Sequence, residues 1–327
     1  MMRVLITGAA GYIGSIVTEH LMASGCEVLA VDNLSHGHRR AVHPDAHFFQ
    51  GDLLERDWLF RLLRRSEAEA VVHLAAEALI DGSVRDPGRF FRSNVAAGLN
   101  LLDAMAAAGI KRLVFSSTAA VYGEPEATPI PETAPCRPVN PYGESKLAFE
   151  RMLPWYEKAH GIRYIVFRYF NACGATERFG EDHVPETHLV PVILEVALGK
   201  RPTLELFGDD YDTPDGTCIR DYVHVADIAR AHELALRRLG EVSGAVYNLG
   251  NGRGYSTLEV LEAAGRLLGK AIPVVRSPRR PGDPARLVAD PAKVRRELGW
   301  KPLEDDLTEM IRSAWRWRRR HPNGYAP

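Results

Sequence analysis

Six short runs in the first half of the chain are apolar at consecutive positions: Val4–Thr7, Glu27–Asp32, His47–Asp52, Ala70–Ala75, Leu113–Ser117 and Tyr164–Arg168. Runs of this length without polar alternation predict strands covered on both faces of a parallel sheet. Longer helix-like segments separate them: Tyr12–Ser24, Glu55–Ser66, Gly88–Ala108 and Tyr142–His160. In the third, Phe91, Val95, Leu99, Leu102 and Met105 recur at three- and four-residue steps, the expected stripe of a helix lying on a sheet. Repeated βα units imply right-handed crossovers, hence an α/β chain with a doubly wound parallel sheet.

The rhythm changes near Asn171. Residues 174–218 are rich in Gly, Pro, Asp, Glu and Thr, with a single helical stretch at Val190–Gly199. Beyond lie candidate strands Leu204–Phe207, Arg220–Val225, Ala245–Leu249 and Ile272–Val275, and candidate helices Val225–Leu239, Thr257–Leu268, Ala292–Leu298 and Leu307–Arg318. The expected division is a cofactor-binding domain over 1–173 and a smaller C-terminal α/β substrate-binding domain over 174–327, some segments of which return to pack on the first.

Composition narrows the classes. The 327 residues carry 41 Lys plus Arg against 42 Asp plus Glu, a formal charge of −1, so no global field favours nucleic acid or anionic lipid. The Arg316, Arg318, Arg319 and Arg320 cluster suits a solvated helix C-terminus. Apolar runs fall far short of the roughly 20 residues of a membrane span. The opening MMRVLITGAAGYIG has no signal-peptide pattern. Cys26, Cys136, Cys173 and Cys218 are scattered without a CxxC pair, so no disulfide framework is expected and a cytoplasmic location fits. His183 and His188 lie five residues apart in a Pro-containing loop, with no carboxylate or third His in helical register. No metal is expected there.

Thr7-Gly8-Ala9-Ala10-Gly11-Tyr12-Ile13-Gly14 joins the first strand to the first helix. Gly8 permits the tight turn, Gly11 admits a pyrophosphate, and Gly14 packs helix on strand; Tyr12 and Ile13 open that helix. Together they predict a Rossmann dinucleotide site. Asp32 ends the second strand 18 residues after Gly14. A carboxylate there accepts from both ribose hydroxyls and repels a 2′-phosphate, favouring NAD over NADP, with Asn33 as helper and Arg39 and Arg40 too far along to compete. Asp52, followed by Leu53, is either an adenine contact or a turn residue. Leu74, Ala75 and Ala76 give close backbone passage, and Ser116 completes a set placed at strand C-terminal ends, where open α/β sheets bind ligands.

The fifth strand runs into Ser116-Ser117-Thr118, and Tyr142-Gly143-Glu144-Ser145-Lys146 begins 24 residues after Thr118. The i, i+4 spacing puts Tyr142 and Lys146 on one helix face, and Asn140-Pro141 reads as the helix start. The helix dipole and a nearby ammonium both favour phenolate. Bringing a phenol from about 10 to near 7 takes roughly 4 kcal/mol at 1.36 kcal/mol per pK unit. YxxxK alone is a frequent pattern; its place behind a glycine loop and a hydroxyl-ended fifth strand gives it weight. The expected catalytic set is Tyr142, Lys146 and Thr118.

TGAAGYIG, Tyr142-x-x-x-Lys146 and Thr118 resemble the extended short-chain dehydrogenase/reductase family. FSSTAAVYGE, NPYGESKLAFE, FRYFNACGA, GDDYDTPDGTCIRDYVHV, YNLGNG and HPNGY resemble, within it, the UDP-glucose 4-epimerase family across nearly the whole chain. The resemblance implies reversible inversion at C4 of UDP-glucose and UDP-galactose through a 4-keto sugar. Tyr142 would take the 4-hydroxyl proton, NAD would accept and return the C4 hydride, Thr118 would bond the 4-oxygen, and Lys146 would also hold the nicotinamide ribose. A loosely held sugar must turn its other face. The resemblance further implies Asn94 and Tyr169 around the cofactor, and Asn171, Leu189, Phe207, Arg220, Tyr222, Arg280 and Asp283 around UDP. It also implies a homodimer through Phe90–Ala108 and Tyr142–His160.

The sequence departs from the family pattern at several positions. Thr118 stands for a common Ser, Ala78 beside Glu77 for a common Lys, His188 for an Asn near the hexose, and Leu287 for a bulky Tyr closing the sugar pocket. The smaller Leu287 leaves room for N-acetyl sugars. Ala119 and Ala120 cannot transfer protons, which disfavours the related 4,6-dehydratases. Alternatives are a C4 epimerase of UDP-GlcNAc/UDP-GalNAc or UDP-glucuronate, a net dehydrogenase, or a silent NAD-binding regulator.

Overall fold

The computed structural model describes residues 1–280 and 282–326. Its first half builds β1 (Arg3–Thr7), α1 (Tyr12–Ala23), β2 (Glu27–Asp32), β3 (His47–Gln50), α2 (Arg56–Ser66), β4 (Ala70–His73), α3 (Ile80–Arg85), α4 (Pro87–Phe90), a π-helical turn (Phe91–Ala96) running into α5 (Ala97–Ala108), β5 (Arg112–Thr118), α6 (Pro141–His160), β6 (Arg163–Tyr169) and β7 (Asn171–Cys173). The second half adds α7 (Leu189–Ala197), β8 (Leu204–Phe207), β9 (Ile219–His224), α8 (Val225–Arg238), β10 (Ala245–Leu249), β11 (Gly254–Ser256), α9 (Thr257–Leu268), β12 (Val274–Ser277), β13 (Arg286–Leu287), α10 (Ala292–Leu298) and α11 (Leu307–Arg320).

Seven parallel strands form the main sheet in the order β10-β6-β5-β4-β1-β2-β3. Alternate residues feed opposite cores. Val4, Ile6, Val28 and Ala30 pack with α1 and α8 on one face, whereas Leu5, Leu29, Val31 and Val71 pack with α2, α5 and α6 on the other. Because both faces are covered, the strands read as continuous apolar runs. Strand order reverses between β1 and β4, opening a crevice at their C-terminal ends.

Three segments beyond residue 173 belong to this unit: β10 pairs with β6, α8 packs on α1, and α10 packs on β10 and α8 through the buried Val294 and Leu298. The remainder gathers around a separate core in which Val190, Ile193, Leu204, Val260, Met310 and Ile311 are buried. No helix among the described residues is long and apolar enough to cross a membrane.

Differences from the sequence reading concentrate near the crevice. β3 stops at Gln50 and β4 at His73, so Asp52, Leu74 and Ala75 lie in loops. The expected Gly88–Ala108 helix is divided by the π turn, whose extra residue rotates the downstream turns of α5. Of the expected stripe, Phe91 and Leu99 are 39% and 40% exposed, while Leu102 and Met105 are buried together with Leu101 and Ala104.

Candidate active site

A cavity of about 800 Å³ runs from the glycine loop, past the ends of β4 and β5, to the loops around β9 and β13. Gly8, Gly11, Tyr12, Ile13, Gly14, Asp32, Asn33, Asp52, Leu53, Leu74, Ala75, Ala76, Ser116 and Tyr169 line its first part. Thr118 and Tyr142 line it too, and Asn171, His188, Leu189, Phe207, Arg220, Tyr222, Arg280, Asp283 and Leu287 line the far part. Lys146 and Asn94 are outside this wall. They act on residues that form it.

The glycine loop is built by close packing. Gly8 has φ +74°, and a Cβ there would strike the Ala75 amide nitrogen at 2.6 Å; one on Gly14 would come within 1.9 Å of the Gly8 carbonyl oxygen. Gly11 is different, since its added Cβ would meet only that same oxygen at 3.4 Å. Protein closes over Gly8 and Gly14, and Gly11 offers bare backbone to the cavity at the N-cap of α1. This cradle fits a dinucleotide pyrophosphate. Asp32 accepts from the Ala10 and Leu34 amides at 2.9 and 2.8 Å. Burial raises its pKa and those two bonds work against the rise. Asp52 accepts from the Leu54 amide at 2.8 Å and from Asn33 Nδ2 at 2.9 Å, so it is a turn residue that also lines the cavity.

Asn140 accepts from the Gly143 amide at 2.8 Å and Pro141 follows, starting α6 as its sequence predicts. Burial raises the Tyr142 phenol above its ordinary value, and hydrogen bonding from Thr118 opposes the shift. Lys146 is only 3% exposed. Burial lowers its pKa to about 7, with Glu150 pulling the other way. Its Nζ donates to the Ser116 carbonyl oxygen at 2.7 Å and sits 4.9 Å from the Phe115 ring centroid. At neutral pH the buried Lys146 is therefore only partly an ammonium, and the group that opposes the rise of the phenol is Thr118. The same desolvation that isolates Tyr142 also weakens the charge on Lys146.

Beneath this strand end lies a network that local sequence reading does not find. Ser117 Oγ donates to Glu150 at 2.5 Å, and Arg168 pairs with Glu150 at 2.6 Å. Arg168 also donates to the Tyr122 hydroxyl at 3.0 Å, which in turn donates to Asn248 at 2.7 Å. The only local signal is Glu150, one further i+4 step along the Tyr142–Lys146 face. Asn94, in the π turn, accepts from the Glu77 amide at 2.8 Å and donates to Ser145 at 2.9 Å, so it fixes the wall from behind.

In the far part, Arg220 is ion-paired with Asp283, and the Arg280 guanidinium lies 4.0 Å above the Phe207 ring centroid. Leu287 pairs in register with Arg220. His188 is held by carboxylates rather than left free, its Nδ1 being 2.8 Å from Glu181 and 3.0 Å from Glu186. The sequence reading seeks carboxylates for His183 and His188 only in helical register and finds none; the fold supplies them. The loop folds back on itself and brings Glu181 and Glu186 to both rings, a proximity that helical register does not measure.

The family model for the NAD dependent epimerase/dehydratase family matches residues 4–250. The UDP-glucose 4-epimerase of Lacticaseibacillus casei is 48% identical over 328 residues, covering 99% of each chain. The structure of UDP-glucose 4-epimerase from Bifidobacterium longum in complex with NAD+ and UDP superposes with a TM-score of 0.94 at 36% identity, over 99% of this chain and 100% of that one. The UDP-Glc/GlcNAc 4-epimerase of Campylobacter jejuni superposes at 0.86 with 38% identity, over 98% and 100%.

Proposed function

The chain belongs to the NAD dependent epimerase/dehydratase family, and from that membership we propose that it interconverts UDP-glucose and UDP-galactose by NAD-dependent epimerisation at C4. The observation that carries this reading is a single cavity lined by the glycine cradle, by Thr118 and Tyr142, and by the Arg220–Asp283 pair. Bound NAD supplies the acceptor and donor for the C4 hydride.

Each residue then has a role. Gly8, Gly11 and Gly14 seat the pyrophosphate, and Asp32 takes the adenosine ribose. Arg220 and Arg280 meet the UDP diphosphate, the planar guanidinium being suited to paired phosphate oxygens. Thr118 orients the sugar 4-oxygen and Tyr142 moves its proton. Lys146 acts from behind, holding the Ser116 carbonyl and hence the wall on which the nicotinamide end lies. Alanines at 119 and 120 line the cavity next to Thr118, so no proton-transfer side chain adjoins it in sequence, as elimination would require.

The test is incubation of purified protein with UDP-galactose and no added cofactor. UDP-glucose appears with no net NADH, and Tyr142→Phe lowers kcat by about 10²- to 10⁴-fold, the usual contribution of an acid–base group. Accumulating NADH or a dehydrated sugar overturns the reading. Leu287 on the cavity wall favours a second activity on UDP-GlcNAc. Leu287→Tyr should abolish it while sparing UDP-galactose; absence of any UDP-GlcNAc turnover in the parent protein rejects it.

A homodimer through the π turn, α5 and α6 is supported by the exposed Phe91, Leu99 and Trp155 on these segments. Light scattering that finds a monomer at micromolar concentration refutes it. A cytoplasmic location is supported by the four free cysteines and is checked by fractionation.

A further inference from the structure

Between β7 and α7, one donor atom from each of Glu181, His183, Glu186 and His188 falls within 4.8 Å of the others. His183 Nδ1 lies 3.3 Å from Glu181 Oε1 and 3.8 Å from Glu186 Oε2, and His188 Nδ1 lies 2.8 Å from Glu181 Oε1 and 3.0 Å from Glu186 Oε1. Donors bound at about 2.0–2.1 Å around a tetrahedral ion are separated by roughly 3.4 Å. The spacings among Glu181 Oε1, Glu186 Oε2 and the two Nδ1 atoms that share them, 2.8, 3.3 and 3.8 Å, straddle that edge length.

A second observation points to a cation. The Glu186 side chain is 1% exposed. Its Oε1 accepts from the Thr187 and His188 amides at 2.8 Å each and lies 3.0 Å from His188 Nδ1, whereas neither Oε2 nor His183 Nδ1 has a hydrogen-bond partner among the described residues. An unpaired oxygen on a buried carboxylate is costly. Nearby guanidinium groups do not relieve it. Arg201 donates to Glu195 and to the Glu186 main-chain oxygen, and Arg318 is occupied by Asp182 and Glu195. The backbone bonds to Oε1 orient the carboxylate and leave Oε2 facing His183, as supporting contacts do for a metal ligand.

We propose that Glu181, His183, Glu186 and His188 form a binding site for a zinc-class divalent cation. Two imidazoles with two carboxylates suit zinc, whereas magnesium and calcium favour all-oxygen sets. All four residues line the main cavity, which gives the ion a route in. The ion would clasp residues 181–188 immediately before Leu189, the first residue of α7 and part of the same wall. Its role is therefore to hold that wall, separate from the chemistry at Tyr142.

The experiment uses untagged, cofactor-loaded protein dialysed against chelator and titrated calorimetrically with zinc chloride, with magnesium chloride as control. One zinc should bind per chain with Kd at or below micromolar and raise Tm, while magnesium does neither. Glu186→Gln and the more peripheral His183→Ala should each weaken zinc binding at least 100-fold and remove the zinc-dependent rise in Tm. Retained NAD content shows that a variant is folded. Failure of the parent protein to bind zinc overturns the proposal and leaves the cluster an internal ion-pair network. Equal binding by parent and both variants also overturns it, placing the zinc elsewhere.

Discussion

Burial lowers the Lys146 pKa into the neutral range. With a folded pKa of about 7 against about 10.4 in an unfolded chain, the unfolded state binds more protons between those values. Raising pH through this window therefore favours the folded state. The burial penalty is complete below pH 7 and gone above about 10.4. In cofactor-stripped protein, Lys146 should add about 2 kcal/mol of stability between pH 7 and 9. Urea unfolding at the two pH values should show that gain in the parent and not in Lys146→Met; equal slopes would mean the amine stays charged. The i, i+4 placement of Tyr142 and Lys146 was legible because a helix turn is local. Their ionisation was not, because it depends on what Phe115, Ser116 and Glu150 do around them.

Elements read from periodicity succeed where burial is uniform and drift where the backbone is irregular. β1, β2, β5 and β6 are apolar on both faces and match their expected spans within a residue or two. The segment Phe90–Ala108 does not match, because a π turn changes the phase of its stripe and places Asn94 behind the Glu77 amide. In the glycine loop, neighbouring glycines have different reasons to be glycine. Gly14→Ala drives a Cβ into the Gly8 carbonyl and should cost several kcal/mol of stability, in the range of overpacked cores. Gly11→Ala meets nothing closer than 3.4 Å, so Tm of the cofactor-free protein should hold within a few degrees while NAD affinity falls at least tenfold. Thermal melts paired with NAD titration separate these effects; a Gly11→Ala protein that binds NAD normally would remove the pyrophosphate from this loop.

Across the whole molecule, loops after β2 and β4 meet over the end of β1. His36 approaches Glu77 at 3.1 Å, and Glu77 also pairs with Arg89 at 2.7 Å. This contact spans the crevice where strand order reverses, and both His36 and Glu77 line the cavity. Glu77→Ala should therefore speed exchange of bound NAD against labelled NAD several-fold with little change in Tm; an unchanged exchange rate would show that the bridge does not gate the cofactor. By itself the sequence determined the βα rhythm, the glycine cradle, the Asp32 position and the Tyr142–Lys146 face, since each is set by neighbours along the chain. Only the tertiary structure decided that β10 joins the main sheet, that Glu150, Arg168, Tyr122 and Asn248 form one network, and that Glu181 and Glu186 close on two histidines. Periodicity records which side of an element is buried. Which buried or polar groups face one another depends on chain closure and long-range packing, which no local spacing encodes.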